Sequence, residues 1–98
     1  MNTLTTEIQS ARAAQVIVTD DTLIVDMTDG RTISVPLAWY PRLQHGDESE
    51  RNHWQLIGKG KGIHWPELDE DISVENLLIG KPSGESLNSL KEWLMKRK

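Results

Sequence analysis

Between residues 14 and 37 the chain repeats one pattern three times, and that pattern leaves few folds open. Ala14, Val16 and Val18 alternate with Gln15, Ile17 and Thr19. Leu23, Val25 and Met27 alternate with Ile24, Asp26 and Thr28, and Ile33, Val35 and Leu37 with Thr32, Ser34 and Pro36. Side chains along a strand point to opposite faces in turn, so three period-two, β-branched runs predict three strands with one apolar face each. Asp20-Asp21 is a short connection, and Asp29-Gly30 suits the positive φ angles of a tight hairpin. An antiparallel meander over residues 14–37 is the expected nucleus of the fold, with Val16, Val25 and Val35 in its core.

The rest of the chain predicts smaller elements. Tyr40 precedes a proline and is pushed away from helical geometry, so a helical turn starts at Pro41. Asp47-x-x-Glu50 has the form of a capping box opening a short helix through about Asn52. From Trp54 to Trp65, apolar runs flank Gly58, Gly60 and Gly62, which reads as a second hairpin with a bulged or flexible tip and with Leu56 and Ile63 in the core. Ser73 is a fitting N-cap for a short helix through Leu77–Ile79, stopped by Gly80. Leu87, Leu90 and Leu94, with Trp93 beside them, mark an amphipathic helix beginning after Ser83 or Ser86. The expected organisation is a flexible arm (1–12), an α+β domain (13–80) and a C-terminal helical extension (81–98).

A chain of 98 residues makes one domain. Domains this small bury only about 60% of their extended-chain surface, so each large apolar side chain matters. Four Trp, one Tyr and no Phe supply the bulk. Cysteine is absent, which removes disulfides, thiolate zinc sites and Cys nucleophiles, and fits a reducing compartment. No apolar run approaches the roughly 20 residues that span a bilayer, and the first residues lack the apolar stretch of a signal peptide. The expectation is a cytoplasmic protein with no membrane association.

Charge is unevenly placed. Residues 1–80 carry six basic and thirteen acidic side chains, −7, whereas residues 81–98 carry five basic and two acidic, +3. A duplex-binding surface needs a basic face to neutralise phosphates, so nucleic acid is not an expected partner. The cations Lys96, Arg97 and Lys98 are explained by the negative end of the last helix, and Glu85 by its positive end.

Chemistry-bearing residues have structural explanations close at hand. A phosphate loop would need a helix directly after Gly58-x-Gly60-x-Gly62, and Ile63-His-Trp-Pro66 follows instead. His64 could act as a general base oriented by Asp69 or Asp71, but no nucleophile motif accompanies it, and a half-buried strand histidine on a carboxylate accounts for it as well. Asp69, Glu70 and Asp71 lack the glycine and distant Glu of a calcium loop, and His45, His53 and His64 show no paired ligand spacing, so no metal or other cofactor is expected. Trp39, Tyr40 and Trp93 are of the residue types enriched at protein interfaces, although a domain without Phe needs Trp in its core. Arg42 is expected within reach of at least one of Asp69, Glu70 and Asp71, with His64 at the edge of that group. Catalytic residues are not assigned.

Two long strings carry a resemblance. Asp29-Gly-Arg-Thr-Ile-Ser-Val-Pro-Leu-Ala-Trp-Tyr-Pro-Arg-Leu43 and Gly62-Ile-His-Trp-Pro-Glu-Leu-Asp-Glu-Asp-Ile-Ser-Val-Glu-Asn-Leu-Leu78 resemble the small bacterial proteins of domain-of-unknown-function family 2442. The match runs from about residue 13 to 80 and falls on Gly30, Arg31, Val35, Pro36, Trp39, Pro41, Arg42 and Leu43. It also covers Gly62, His64, Trp65, Asp69, Glu70, Asp71, Ser73 and Leu77. The resemblance implies a compact α+β fold, a bacterial cytoplasmic setting and no assigned enzyme activity. It also implies pairing with another small protein encoded nearby, in a toxin–antitoxin-like arrangement. Some relatives add a helix-turn-helix domain, for which one terminal helix is too little. The leading expectation is a non-enzymatic interaction or regulatory module, antitoxin-like in such a pair. The alternative is a small enzyme or ligand-binding domain using Arg42, His64 and the acids at 69–71.

Overall fold

The computed structural model describes residues 10–97 and shows an α+β domain of two three-stranded antiparallel sheets with short helices. The meander is β1 (Ala13–Val18), β2 (Thr22–Met27) and β3 (Thr32–Pro36), joined in that order. Leu23, Val25 and Met27 are all buried, as their alternation requires. In β1 the pattern breaks at a bulge between Ala13 and Gln15, so Ala13 takes the buried side and Ala14 is exposed. The two turns are set by short polar side chains. Thr19 Oγ1 accepts from the Thr22 amide at 3.0 Å, and Gly30 takes φ 96° where the Asp-Gly hairpin turns.

Most of the expected arm lies outside the described residues. Its last part is packed: Ala11 is in the core, and the Arg12 carbonyl accepts from the Thr28 amide at 2.9 Å. Order thus begins ahead of Ala14.

After β3 come a 3-10 turn (Leu37–Trp39), α1 (Pro41–His45) and α2 (Glu48–Asn52). Asp47 and Glu50 form both bonds of the expected capping box. Arg51 holds this region together, its Nε donating to the Leu43 carbonyl at 2.9 Å and its Nη2 to that of Gln44 at 2.7 Å. Both carbonyls lie in the last turn of α1, where that of Leu43 also accepts from the Gly46 amide at 3.1 Å. Arg51 also accepts, through its own carbonyl, the 3.0 Å hydrogen bond of the buried Trp65 indole.

The second hairpin is β4 (Gln55–Ile57) and β5 (Gly62–Trp65). At its tip Gly58, Lys59 and Gly60 all have positive φ. A third strand that the pattern did not reveal, β6 (Glu70–Ser73), pairs with β5 and runs into α3 (Val74–Leu78), capped by Ser73. Leu56, expected in the core, is instead 37% exposed, because β4 is a three-residue edge strand. The helix α4 (Leu87–Lys96) closes the chain and buries no residue fully.

Ile63, Trp65 and Ile72 from the second sheet join Val16, Val25 and Val35 from the first in one core. The sheets also meet at Gly60, where a Cβ would stand 2.8 Å from the Ala13 carbonyl oxygen, at a backbone φ of +88°. Gly60→Ala is expected to destabilise the domain by about 1–2 kcal/mol through backbone strain and this clash. At Gly84 a Cβ meets nothing within 4 Å, and Gly84→Ala should change stability by less than about 0.5 kcal/mol. Urea midpoints of the two variants check the contrast.

Candidate functional site

The register of β5 and β6 decides where the expected site residues go. His64 pairs with Asp71 and Trp65 with Glu70, so the two pairs lie on opposite faces of the sheet. Trp65 is fully buried, which places Glu70 on the inner face. His64 and Asp71 occupy the outer face, with His64 Nδ1 2.5 Å from Asp71 Oδ1. Asp69 sits in the turn before β6 with φ 49°, its side chain exposed. Arg42, His64 and the three acids therefore do not converge on one point.

Arg42 does reach the acids, through Asp69. Its Nη1 donates to the Asp69 carbonyl at 2.9 Å and lies 3.4 Å from Oδ2. Its main partner is Glu85, which the sequence reading had assigned only to a helix end. Arg42 Nε is 3.0 and 2.8 Å from the two Glu85 oxygens, and Nη2 contacts Glu85 Oε2. Both side chains are mostly buried, 16% and 10% exposed. Ser89 Oγ donates to the same Glu85 carboxylate at 2.9 Å. The guanidinium and the hydroxyl hold Glu85 below the usual carboxylate range.

This pair ties residues 81–97 to the domain. The Ser83 amide donates to the Trp39 carbonyl at 3.1 Å, and the Lys81 amide to that of Asn76 at 2.9 Å. Trp93 packs between two guanidiniums, with Arg42 Cζ 5.2 Å and Arg97 Cζ 4.7 Å from its ring centre. Arg97 Nη2 reaches Glu50 at 2.8 Å. Of the residues expected at an interface, Tyr40 is only 4% exposed and donates to the Lys81 carbonyl at 3.4 Å, so it is a core residue and not a displayed one. Trp39 and Trp93 are half-buried and packed against the core within the chain.

Beside Tyr40 lies a cleft of about 280 Å³, lined also by Glu70, Ser73, Asn76, Lys81 and Ser83. Burial pushes the Glu70 carboxyl up to about 7, against the opposing pull of the Asp71 amide and Arg42. Glu70 Oε2 is buried with no hydrogen-bond partner among the described residues. A carboxyl in this range can exchange a proton near neutral pH, and the neighbouring serine hydroxyls take part in the fold as acceptors of backbone amides. Ser73 Oγ accepts from the Asn76 amide and Ser83 Oγ from the Glu85 amide. Among the described residues no three His, Cys, Asp or Glu side chains gather as a metal site, and no helix is long and apolar enough to cross a membrane.

A second surface was missed because Leu56 was assigned to the core. On β4, Leu56 and Ile57 are 37% and 41% exposed. Among the described residues, the β4 backbone bonds to β5 and to no other strand. Ile57 and Gly62 are register partners on the outer face and line a hollow of about 320 Å³.

Comparison with known proteins agrees with this architecture. A crystal structure of a protein of unknown function from Rhodospirillum rubrum is 26% identical, with a TM-score of 0.67 over 80% of this chain and 96% of that one. The solution structure of an uncharacterised protein from Chromobacterium violaceum shares the fold at 13% identity, with a TM-score of 0.66 over 92% of this chain and 87% of that one. No curated protein matches. The family described as "Protein of unknown function (DUF2442)" matches residues 13–83, which span both sheets, the Arg42 helix and the first residues of the C-terminal segment 81–97. The chain belongs to the DUF2442 family.

Proposed function

We propose that the protein is a non-enzymatic interaction module, the antitoxin-like or regulatory member of a bacterial, cytoplasmic two-protein pair. One observation carries this reading: β4 carries exposed, apolar Leu56 and Ile57 on a sheet edge that no other described strand pairs with. Exposed, unpaired strand edges are templates for adding a strand, and proteins usually guard them with charge or a covering segment. The competing reading, an enzyme or ligand site built on Arg42, His64 and the acids, loses support from the geometry. Arg42 directs its donors to Glu85 and Asp69, and His64 faces away from Glu70.

Co-expression with the product of the adjacent small reading frame tests the proposal. The expected result is co-elution of the two proteins on size exclusion, lost with Ile57→Lys, which places a charge on the exposed edge while circular dichroism stays that of the folded domain. Failure of the wild-type chain to co-elute, or co-elution unaffected by the substitution, argues against it.

A further inference from the structure

We infer that the C-terminal segment, residues 81–97, is a pH-sensitive latch on the Arg42 face, closed while Glu70 is protonated and released when Glu70 ionises. The cleft beside Tyr40 supplies the first argument. It lies between the body, which contributes Tyr40 and Glu70, and the start of the segment, which contributes Lys81, Ser83 and Gly84. Glu70 Oε1 accepts from the Asp71 amide at 3.1 Å, but Oε2 is buried and meets no partner among the described residues. A carboxylate left in that position costs far more than a neutral carboxyl. Lifting the segment away opens the cleft and lets water reach the charge.

Charge connects Glu70 to the tie that holds the segment down. Arg42 grips Glu85 of the segment and also faces Glu70 of the body. An ionised Glu70 therefore competes with Glu85 for one guanidinium and repels the Glu85 carboxylate. Burial first, and then Glu85, push the Glu70 carboxyl up to about 7, against the Asp71 amide and Arg42. Opening admits water and removes Glu85, whereas the Asp71 amide and Arg42 stay with the body. The open form thus binds the Glu70 proton less tightly than the closed form. Closure is strongest at acid pH, weakens as pH rises towards about 7 and is constant above. Release frees the Arg42 guanidinium and the Trp39 carbonyl, to which the Ser83 amide donates at 3.1 Å.

The other groups around Glu70 do not supply this response. From the segment come Lys81, a cation, and Glu85, which Arg42 holds below the usual carboxylate range. Tyr40 is raised by burial and by the charge of Glu70, so its hydroxyl stays neutral. The start of α3 offers only the neutral Ser73 and Asn76. Asp71, on the same strand as Glu70, turns to the outer face and meets His64 there. His53 sits on Glu67, whose carbonyl accepts from Arg97 at 3.4 Å, so both histidines need control variants.

NMR hydrogen exchange of the full chain, read as protection relative to the unstructured rate at each pH, tests the latch. The two reporters are the Ser83 amide and the Arg42 Nε–H, which bond across the join. From about pH 5.5 to about pH 8.5 their protection should fall at least about tenfold, while at every pH the Val25 amide of the central strand stays the more protected. The fall should level off at the pH where the Glu70 side-chain carboxyl carbon titrates. Glu70→Gln should remove the fall, and His53→Gln and His64→Gln should keep it. The inference is overturned if wild-type protection stays within about twofold, or if Glu70→Gln still shows the fall. It is also overturned if a histidine variant abolishes the fall, or if Ser83 is protected no less than Val25, which would make the opening global. Should Glu70→Gln not fold, the wild type still decides: a fall that levels off away from the Glu70 titration refutes the latch.

Discussion

Arg42→Ala should destabilise the domain by about 3 kcal/mol, measured as a shift in urea midpoint at constant slope. Removing the guanidinium leaves Glu85, 10% exposed, with one hydroxyl partner for a charge that two guanidinium nitrogens had satisfied. It also removes one of the two cations stacked on Trp93 and the donor to the Asp69 carbonyl. Stranding one member of a buried pair costs more than the pair contributes, so Arg42→Met combined with Glu85→Leu should recover much of the loss. A double-mutant cycle separates the coupling from each truncation. If Arg42→Ala left stability within about 0.5 kcal/mol, the tie would be worth no more than an exposed surface pair, and a binding role for Arg42 would return.

Stability should fall as pH rises between about 4.5 and 7, in a way that Glu70→Gln removes. The Glu70 carboxyl moves from its ordinary value of 4.5 to about 7 on folding, chiefly through burial, with Glu85 and Asp71 opposing its ionisation and the Asp71 amide and Arg42 favouring it. The folded state therefore binds this proton more tightly than the unfolded chain. Its contribution is complete below about 4.5, declines as pH rises through about 7 and is constant above. The full shift corresponds to roughly 3 kcal/mol, and partial solvent access reduces the expected change to about 2 kcal/mol. Glu85, Glu50 and Glu67 have lowered values and act in the opposite sense, losing stability as pH falls into the acid range. The difference between wild type and Glu70→Gln isolates the contribution of the Glu70 carboxyl. Near pH 5 the two should be similar, and near pH 8 the Gln variant should be the more stable. Parallel profiles would refute the assignment.

How much of this was legible in the sequence follows the chemistry of each segment. The meander was visible because β2 is apolar at every second position and the Asp-Gly turn has a defined stereochemistry. The capping box and the Ser73 cap were legible because each is local. Strand β6 was hidden because its inward positions are Glu70 and Ile72, so half of the apolar signal is a carboxyl. Glu70 standing opposite Trp65 is a register fact, invisible until the strands are paired. Leu56 failed for a related reason: alternation gives the face a side chain takes, but not whether another strand covers it. The Arg42–Asp69 contact followed from the two strings meeting near Pro41 and Trp65. Glu85 escaped because its partner lies far away in sequence and a nearer helix end already explained it.

The C-terminal segment, residues 81–97, is attached by ion pairs, a sandwiched indole and a few backbone bonds, and its helix contributes no fully buried side chain. Salt screens the exposed part of these attachments, such as the Arg42–Asp69 contact, far more than the mostly buried Arg42–Glu85 pair, whereas apolar burial is not screened. With no fully buried side chain in its helix, the C-terminal segment is expected to open at lower free energy than the sheets, which hydrogen exchange of its amides checks. Trp93, held between Arg42 and Arg97 at the join of the segment and the body, would report such an opening as a change in its fluorescence.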